Sequence, residues 1–530
     1  MPDPISEITR FPESDPGPEP IHVGIACPTV YGVAIASLGY QLVHLIAQSQ
    51  PGVVTHRIVL DKPDGKSYPT RTLEEKLDIK SLDAIFFSCS FENDYIHLVR
   101  MLDTAGIPVL RRDRGSLPLI LIGGIAPTGN PEPLANIADA ILIGAGEINV
   151  PAALDGIQDF IPLLRGARFK SGRDQLYELW DTKVGFYVPE LWSDKKGDFK
   201  SQDGRKLGQV YVDALDDFPS YTPIISSHGV YGSKNLVEIS RGCPAHCNFC
   251  MLSYVNRKGQ ERSVASILEN ARKFTLDEAS IGLISSRVGD HPGIVDVVNT
   301  LADDGYDVSV SSLRVATSTD ELLQALSRAG TKSVAFAPEH GSEKILKLIN
   351  KQYAYEDVLG RINASFDVGI NRIKLYFLTG FEEETDDDLS MMVDYIQALI
   401  NDSGLMTRGG GEKLIIGLAP FVPKASTPFQ RRPMQPERVL KSKIKAVTGP
   451  FKNAPRIEIE TESPRSSILQ GIFSVGNREL TKHLEFVSRT RGPVISSWDE
   501  AVGVAGDSPV RLLMESRTTG AVLPWSFIKR

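Results

Sequence analysis

Leu236-Val237-Glu238-Ile239-Ser240-Arg241-Gly242-Cys243-Pro244-Ala245-His246-Cys247-Asn248-Phe249-Cys250 is the stretch on which the reading of this chain turns. Its first five residues form a short apolar, β-branched run of the kind that makes a strand. The loop that follows carries three thiols at CxxxCxxC spacing. Three thiolates on one short loop can wrap a 4Fe–4S cube and hold three of its irons, leaving the fourth without a cysteine. An open iron on a redox cluster is where a substrate or cofactor can bind and accept an electron. The alternative for such a loop is zinc, with His246 as a fourth ligand, or a merely structural role. Structural zinc sites usually pair two knuckles, however, and no cysteine follows position 250.

Only five cysteines occur in 530 residues, too few for a disulfide scaffold, and three of them sit in this loop. That clustering points to metal or redox chemistry. Cys27 and Cys89 end two strand-like runs far upstream and read as buried apolar residues.

Downstream of the loop the pattern is regular. Strand-like runs at 236–240, 280–285, 307–311, 333–337, 372–377 and 414–419 are each followed by a helix-length segment. Ser263 and Thr319 stand where helix N-caps belong, and Pro292 suits a first helical turn. Six such units over residues 231–430 predict a partial (β/α)6 barrel with its chemistry at the C-terminal strand ends. Residues 431–530, with a helix pattern near 436–447, read as a small C-terminal α/β extension. Upstream, strand-like runs at 22–27, 84–88, 117–122 and 140–143 alternate with helical patterns, of which Leu38, Leu42, Leu45 and Ile46 make the first. Parallel strands need helical crossovers, so residues 21–150 predict a Rossmann-like, doubly wound parallel sheet. Its ligand crevice is expected at the loops 28–37, 89–95, 123–133 and 144–147. Residues 151–230 read as a connector with a hairpin, and residues 1–20 as a disordered tail.

Composition bounds the rest. With 42% hydrophobic and 23% charged residues and a net charge of −8, the chain is a multi-domain α/β protein rather than fibrous or disordered. The acidic balance argues against nucleic acid as a partner. The longest apolar run, Leu117 to Pro127, is too short to span a bilayer. The acidic, proline-rich N-terminus lacks the features of a secretory signal, so a cytoplasmic location is expected.

The cysteine loop does not stand alone. Phe336-Ala337-Pro338-Glu339-His340-Gly341-Ser342, Ile349-Asn350-Lys351, Lys374-Leu375-Tyr376-Phe377-Leu378-Thr379-Gly380-Phe381 with Glu384-Thr385, and Phe421-Val422-Pro423-Lys424 with Thr427-Pro428-Phe429 accompany it. Together these segments resemble the radical S-adenosylmethionine (SAM) superfamily. Asp139-Ala140-Ile141-Leu142-Ile143-Gly144-Ala145-Gly146-Glu147 resembles the last strand and loop of an N-terminal cobalamin-binding-type domain. The likeness is therefore to the class B branch, and it covers roughly residues 20–430.

The resemblance implies that Cys243, Cys247 and Cys250 ligate a 4Fe–4S cluster whose open iron chelates SAM. It implies that Phe249 packs near the adenine or shields the cluster, and that Arg314 binds the SAM carboxylate, unless it serves a surface ion pair. Glu339 would meet the SAM ribose or amine, and Gly380 would let the backbone approach adenine. Glu339, Lys374 and Tyr376 are the catalytic candidates. Gly123, Gly124, Gly144, Gly146 and Glu147 are the cobalamin candidates, although turns alone would also require glycines. The Asp-x-His-x-x-Gly segment that supplies a lower axial histidine in many cobalamin domains is absent, which leaves either an open lower face or a vestigial domain. The acidic run from Glu382 to Asp388 reads as a helix start capped by Thr385 rather than a metal site, and Gly409-Gly410-Gly411 as a flexible turn.

The function implied is a cobalamin-dependent radical SAM methyltransferase. It would cleave SAM reductively to a 5′-deoxyadenosyl radical and move a methyl group through methylcobalamin to an unactivated carbon or phosphinate of a small molecule. An electron donor such as flavodoxin or ferredoxin is the implied protein partner. The alternatives are a cyclisation or rearrangement without net methylation and, in another class, a non-catalytic iron–sulfur redox sensor. Methylthiotransferases share the barrel but carry a second cluster on three more N-terminal cysteines, and only two precede the loop here.

Overall fold

A computed structural model describes residues 7–60, 67–193, 204–256 and 259–530. The N-terminal sheet is built from β1 (Ile21–Val30), β2 (Val53–Leu60), β3 (Ala84–Ser88), β4 (Leu119–Gly123), β5 (Ala140–Leu142) and β6 (Phe186–Tyr187). Its order is β2-β1-β3-β4-β5-β6, parallel throughout except for the antiparallel edge β6. The strand order reverses between β1 and β3, which makes this a doubly wound sheet with a switch point. One face packs Val23, Ile25, Phe86 and Leu121 beneath helices α1 (Leu38–Gln48), α3 (Gly146–Leu164) and α4 (Phe169–Asp181). The other packs Ile85, Phe87, Ile120 and Ile122 beneath α2 (Asp94–Thr104) and, beyond it, the C-terminal helices.

The second unit repeats strand and helix. Strands β7 (Lys234–Glu238), β8 (Ser280–Ile284) and β9 (Val308–Val310) form one parallel sheet. Strands β10 (Ser333–Glu339), β11 (Arg372–Thr379), β12 (Lys413–Pro420) and β13 (Ile457–Thr461) form another. A parallel bridge from Leu313 to Phe336 joins the two. Helices α5 (Val264–Ala271), α6 (Ile294–Asp303), α7 (Asp320–Arg328), α8 (Tyr355–Asp367) and α9 (Asp386–Asp402) cover the outside. Among the described residues no pairing returns β13 to β7. The Ser263 and Thr319 hydroxyls accept from Ser266 and Leu322 N–H groups as N-caps do. Thr385 and Asp388 form a reciprocal capping box at the start of α9, which accounts for the acidic run.

Four boundaries differ from the sequence expectation. Strand β2 was hidden because His56 and Arg57 interrupt its apolar run; Arg57 is buried by donating to Glu7 and Glu74. The expected tail is docked from residue 7 onward: Glu7–Thr9 pairs antiparallel with Ile224–Ser226, while residues 1–6 lie outside the described residues. The expected connector supplies α3, α4 and the edge strand β6 to the N-terminal domain, and no hairpin occurs there among the described residues. Pro151 and Pro162 inside α3 had masked its helical pattern.

The fourth difference is the largest. The C-terminal extension contributes β13 to the barrel, and then α10 (Glu437–Thr448), α11 (Pro464–Val475), α12 (Thr481–Ser488) and α13 (Val494–Ala505). Its helices pack against the N-terminal sheet rather than standing apart. Arg478, itself buried, donates to both oxygens of buried Glu132 at 2.8 and 3.0 Å and to the Tyr187 hydroxyl at 2.7 Å. Arg100 donates to Val487 and Gly492 carbonyls and to the Thr490 hydroxyl.

Candidate functional site

At the end of β7 the chain bends away, and Ser240–Arg241 pairs with Gln260–Glu261. Gly242 takes a left-handed φ of 82°, and its carbonyl accepts from Ser286 Oγ at 3.0 Å and Arg287 Nε at 3.3 Å. The three cysteines follow on a loop clasped by the turn after Glu343–Leu348. Asn248 donates its N–H to the Ile349 carbonyl and its side chain to that of Leu348, at 2.9 and 2.8 Å. Asn350 and Tyr254 both donate to the His246 carbonyl at 2.9 Å, where His246 holds a φ of 52°. All three thiols are free and partly exposed. Burial pushes Cys250 up to about 11 and Cys247 above its ordinary value. Ligation therefore has to displace protons from them. The three sulfurs lie within electrostatic reach of one another. Yet no three His, Cys, Asp or Glu side chains among the described residues converge as a single metal ion requires. Three thiolates on one short loop are the donor set of a 4Fe–4S cluster, with one iron left without a cysteine.

Beside the loop, Glu339 ends β10. A register shift between Phe336 and Glu339 and a φ of 64° turn its buried carboxylate toward Lys351, whose Nζ stands 2.8 Å away. A non-glycine residue is held in that region only when its surroundings enforce it. Burial raises the Glu339 carboxyl above its usual range, against the pull of Lys351. Both residues act electrostatically on Cys247. Arg314 acts on Cys247 as well, and its Nη1 donates to Asp290 Oδ2 at 2.6 Å. Phe249 packs with Phe381, Phe421 and Phe429 in an aromatic cluster at the loop's inner side. Gly380, at φ 94°, donates its N–H to Glu384 at 2.8 Å. A Cβ there would meet Leu440 at 2.5 Å. Burial would raise Glu384, but hydrogen bonds from His340 and Lys443 outweigh it and hold the carboxyl below its ordinary range. Lys374 and Tyr376 share one face of β11, with the ammonium 4.9 Å from the ring centroid, and Lys374 is paired with Glu460 of β13. The structure thus gathers Glu339 and Phe249 at the loop, and gives Lys374 an ion-pair partner from the C-terminal extension.

The second feature is a cavity of about 370 Å³ at the carboxyl ends of β3, β4 and β5. All five cobalamin candidates, Gly123, Gly124, Gly144, Gly146 and Glu147, line it. Of the four expected crevice loops, those after β3, β4 and β5 contribute and the one after β1 does not. The glycines fall into two kinds. A Cβ on Gly124 or Gly144 would meet the Cys89 or Val210 carbonyl oxygen at 2.2 or 2.1 Å, and both residues have φ above 110°. Neighbouring backbone therefore demands them. A Cβ on Gly123 or Gly146 would make only ordinary contacts, at 3.7 Å or more. Their smallness leaves room in the cavity instead. This largely apolar space, walled by Leu38, Leu42, Val43, Phe86, Leu142 and Val150 as well as by the glycines, suits an organic cofactor. Glu238, Arg241, Gln260 and Ile284 line the cavity from the barrel side.

Two family matches place this architecture: the family described as radical SAM proteins, N-terminal, over residues 39–189, and the radical SAM superfamily over residues 237–396. The chain thus carries both radical SAM domains, N-terminal and core. An uncharacterized protein of Methanocaldococcus jannaschii is 28% identical over 418 residues, 78% of this chain and 82% of its own length. A putative methylthiotransferase of the same organism is 23% identical over 340 residues, 62% of this chain and 67% of its own. Among solved structures, the radical SAM methyltransferase TsrM of Kitasatospora setae, with cobalamin and a 4Fe–4S cluster bound, aligns at a TM-score of 0.57 and 12% identity. That alignment covers 91% of this chain and all (100%) of TsrM. The cobalamin-dependent SAM radical enzyme OxsB aligns at 0.52 and 14% identity over 81% of this chain and 62% of its own. At such identities the likeness is one of fold.

Sequence reasoning gave no role to Lys351, Glu238 or Arg241, although the last two stand within five residues of Cys243. It also gave none to Gln209 and Tyr211 on the cavity wall, which lie in the stretch read as connector. Proximity to the first cysteine was the available signal for Glu238 and Arg241. Gln209 and Tyr211 had none. No helix among the described residues is long and apolar enough to cross a membrane.

Proposed function

We propose that this chain is a cobalamin-dependent radical SAM enzyme of the methyltransferase class, acting on a small molecule. The observation that carries the reading is a shared wall. The cavity at the end of the N-terminal sheet is lined on its barrel side by Glu238 and Arg241 together with Gln260 and Ile284, and Arg241 lies two residues before the first cysteine of the loop. A ligand held in the cavity would therefore stand beside the segment that leads into the cysteine loop. When bound, the cluster supplies the electron that cleaves SAM, and cobalamin carries the methyl group.

The residues have separable tasks. Cys243, Cys247 and Cys250 hold three irons. Phe249, with Phe381, Phe421 and Phe429, keeps water from the inner side of the loop. Lys351 neutralises Glu339 in the ground state and leaves it able to accept from a ribose hydroxyl or an ammonium. Glu384, fixed by His340, Thr379 and Lys443, sets the Gly380 turn along which a purine can lie. Gly123 and Gly146 leave the cavity open, and Tyr376, 39% exposed on the inner face of β11, is available to a substrate. Methylthiotransfer is disfavoured because Cys27 and Cys89, both buried, cannot supply a second three-thiolate cluster.

The test is anaerobic. Protein reconstituted with iron and sulfide is mixed with dithionite and SAM and assayed for 5′-deoxyadenosine. A loaded cluster that yields none overturns the enzymatic reading. Incubation with hydroxocobalamin, desalting and an absorption spectrum then separate methyl transfer from cobalamin-free chemistry.

A further inference from the structure

Arg241 makes a connection that the two sites do not by themselves require. Its Nε and Nη2 donate to the two oxygens of Glu238 at 2.9 and 2.8 Å, a bidentate fork. The same Nη2 donates to Glu147 Oε1 at 2.6 Å. Glu147 belongs to the first turn of α3 in the N-terminal domain, whereas Glu238 ends the first barrel strand. The carboxylates are largely enclosed, with 8% and 16% side-chain exposure, and Arg241 has 22%. On the far side of Glu238, the fully buried Arg262 approaches to 3.8 Å. Glu147, Arg241, Glu238 and Arg262 thus alternate in sign from one domain into the other. The first three are part of the cavity wall. Arg241 is followed by Gly242, whose carbonyl is pinned by Ser286 and Arg287, and then by Cys243.

We infer that Arg241 is a positioning residue that couples the two sites: a ligand filling the cavity settles Glu147 and Arg241 against its edge, and this fixes the entry of the cysteine loop. The inference rests on the reading of the cavity given above. Neither carboxylate alone would do this, because each belongs to a single domain. A lysine would not either, since one ammonium cannot grip both oxygens of Glu238 and reach Glu147 with a fixed plane.

SAM is titrated calorimetrically and anaerobically into cluster-loaded protein, with and without saturating hydroxocobalamin, for the wild type, R241K and E147Q. Iron content and circular dichroism are checked in each. E147Q leaves the cysteine loop untouched, so it carries the test if R241K loads poorly. In the wild type, hydroxocobalamin should tighten SAM about tenfold, within the usual range of site-to-site coupling. Reciprocity requires SAM to tighten hydroxocobalamin by the same factor. In both variants the factor should fall to about twofold or less, a change that mere structural damage, which weakens each ligand alone, does not produce. Equal coupling in wild type and E147Q overturns the inference and leaves the cavity reading standing, as does a wild type that binds both ligands independently. A wild type that retains no hydroxocobalamin overturns the cavity reading, and the inference with it.

Discussion

The cysteine loop and the cavity facing it are built in opposite ways. The loop carries its chemistry in side chains that are partly exposed and free, on a backbone clasped by a handful of hydrogen bonds. The cavity has almost no reactive side chain on its N-terminal wall. Its shape comes from strand ends and from glycines pressed against neighbouring carbonyls. A site of the first kind is lost by changing one atom without disturbing the fold. A site of the second kind is mostly lost by disturbing the fold itself.

The sharpest way to break that contrast is to remove a thiol. Cys243→Ala, Cys247→Ala and Cys250→Ala should each lower 5′-deoxyadenosine formation about 1000-fold or more, since the three ligands act as a unit. Stability of the metal-free protein should change by no more than about 0.5 kcal/mol, as for other partly exposed positions. Comparable unfolding by urea would show that the loop is instead part of the core. Next in size, G124A and G144A should destabilise the protein by about 3 kcal/mol or more, because each adds a left-handed strain to a backbone clash. Urea midpoints near that of the wild type would contradict the distances at Cys89 and Val210.

Smaller effects should follow at the other two glycines. G123A and G146A should cost less than about 1 kcal/mol in stability, yet weaken hydroxocobalamin retention about tenfold, because the added methyl groups enter the cavity rather than a wall. Unchanged retention would separate the cavity from cobalamin.

A separate effect is one of pH. Burial pushes His44 and His97, both in the N-terminal domain, down to about 3 and about 4 from the ordinary 6.5. Each is neutral when folded and free to protonate when unfolded. The stability they contribute is therefore present above pH 6.5 and is lost as pH falls toward 4, by at most about 1.4 kcal/mol per unit for each group. Tryptophan fluorescence melts at pH 7 and pH 5 report on this domain through Trp180 and Trp192. H44Q should flatten the pH dependence, and an unchanged slope would reject the assignment.

The same contrast explains what could be read from sequence. The thiol triplet, the six barrel strands, and the caps Ser263, Thr319 and Thr385 were legible because each is a local pattern with a local cause. Strand β2 was not, because its charged interior residues are buried by partners as distant as Glu7. Helix α3 was disguised by its prolines. The division of the glycines into two kinds was invisible, since it depends on which carbonyl stands opposite each one. The Glu147–Arg241–Glu238 array unites residues some 90 positions apart, and no spacing announces it. Arg314 was legible as a charge near the barrel mouth, whereas its ion-pair partner Asp290, 24 positions earlier, was not.

The packing of the C-terminal helices on the first domain has a consequence for biosynthesis. Leu469, Phe473, Leu484 and Trp498 cover the apolar side of α2, where Tyr95 meets Phe473 at a 5.6 Å ring separation. Arg100 waits 387 residues for Val487. At ordinary translation speeds that interval is roughly 20 to 80 s. Throughout it, a face that the finished protein keeps dry is exposed on the nascent chain beside the ribosome, where chaperones would bind it. The first domain to be made is thus among the last to be completed.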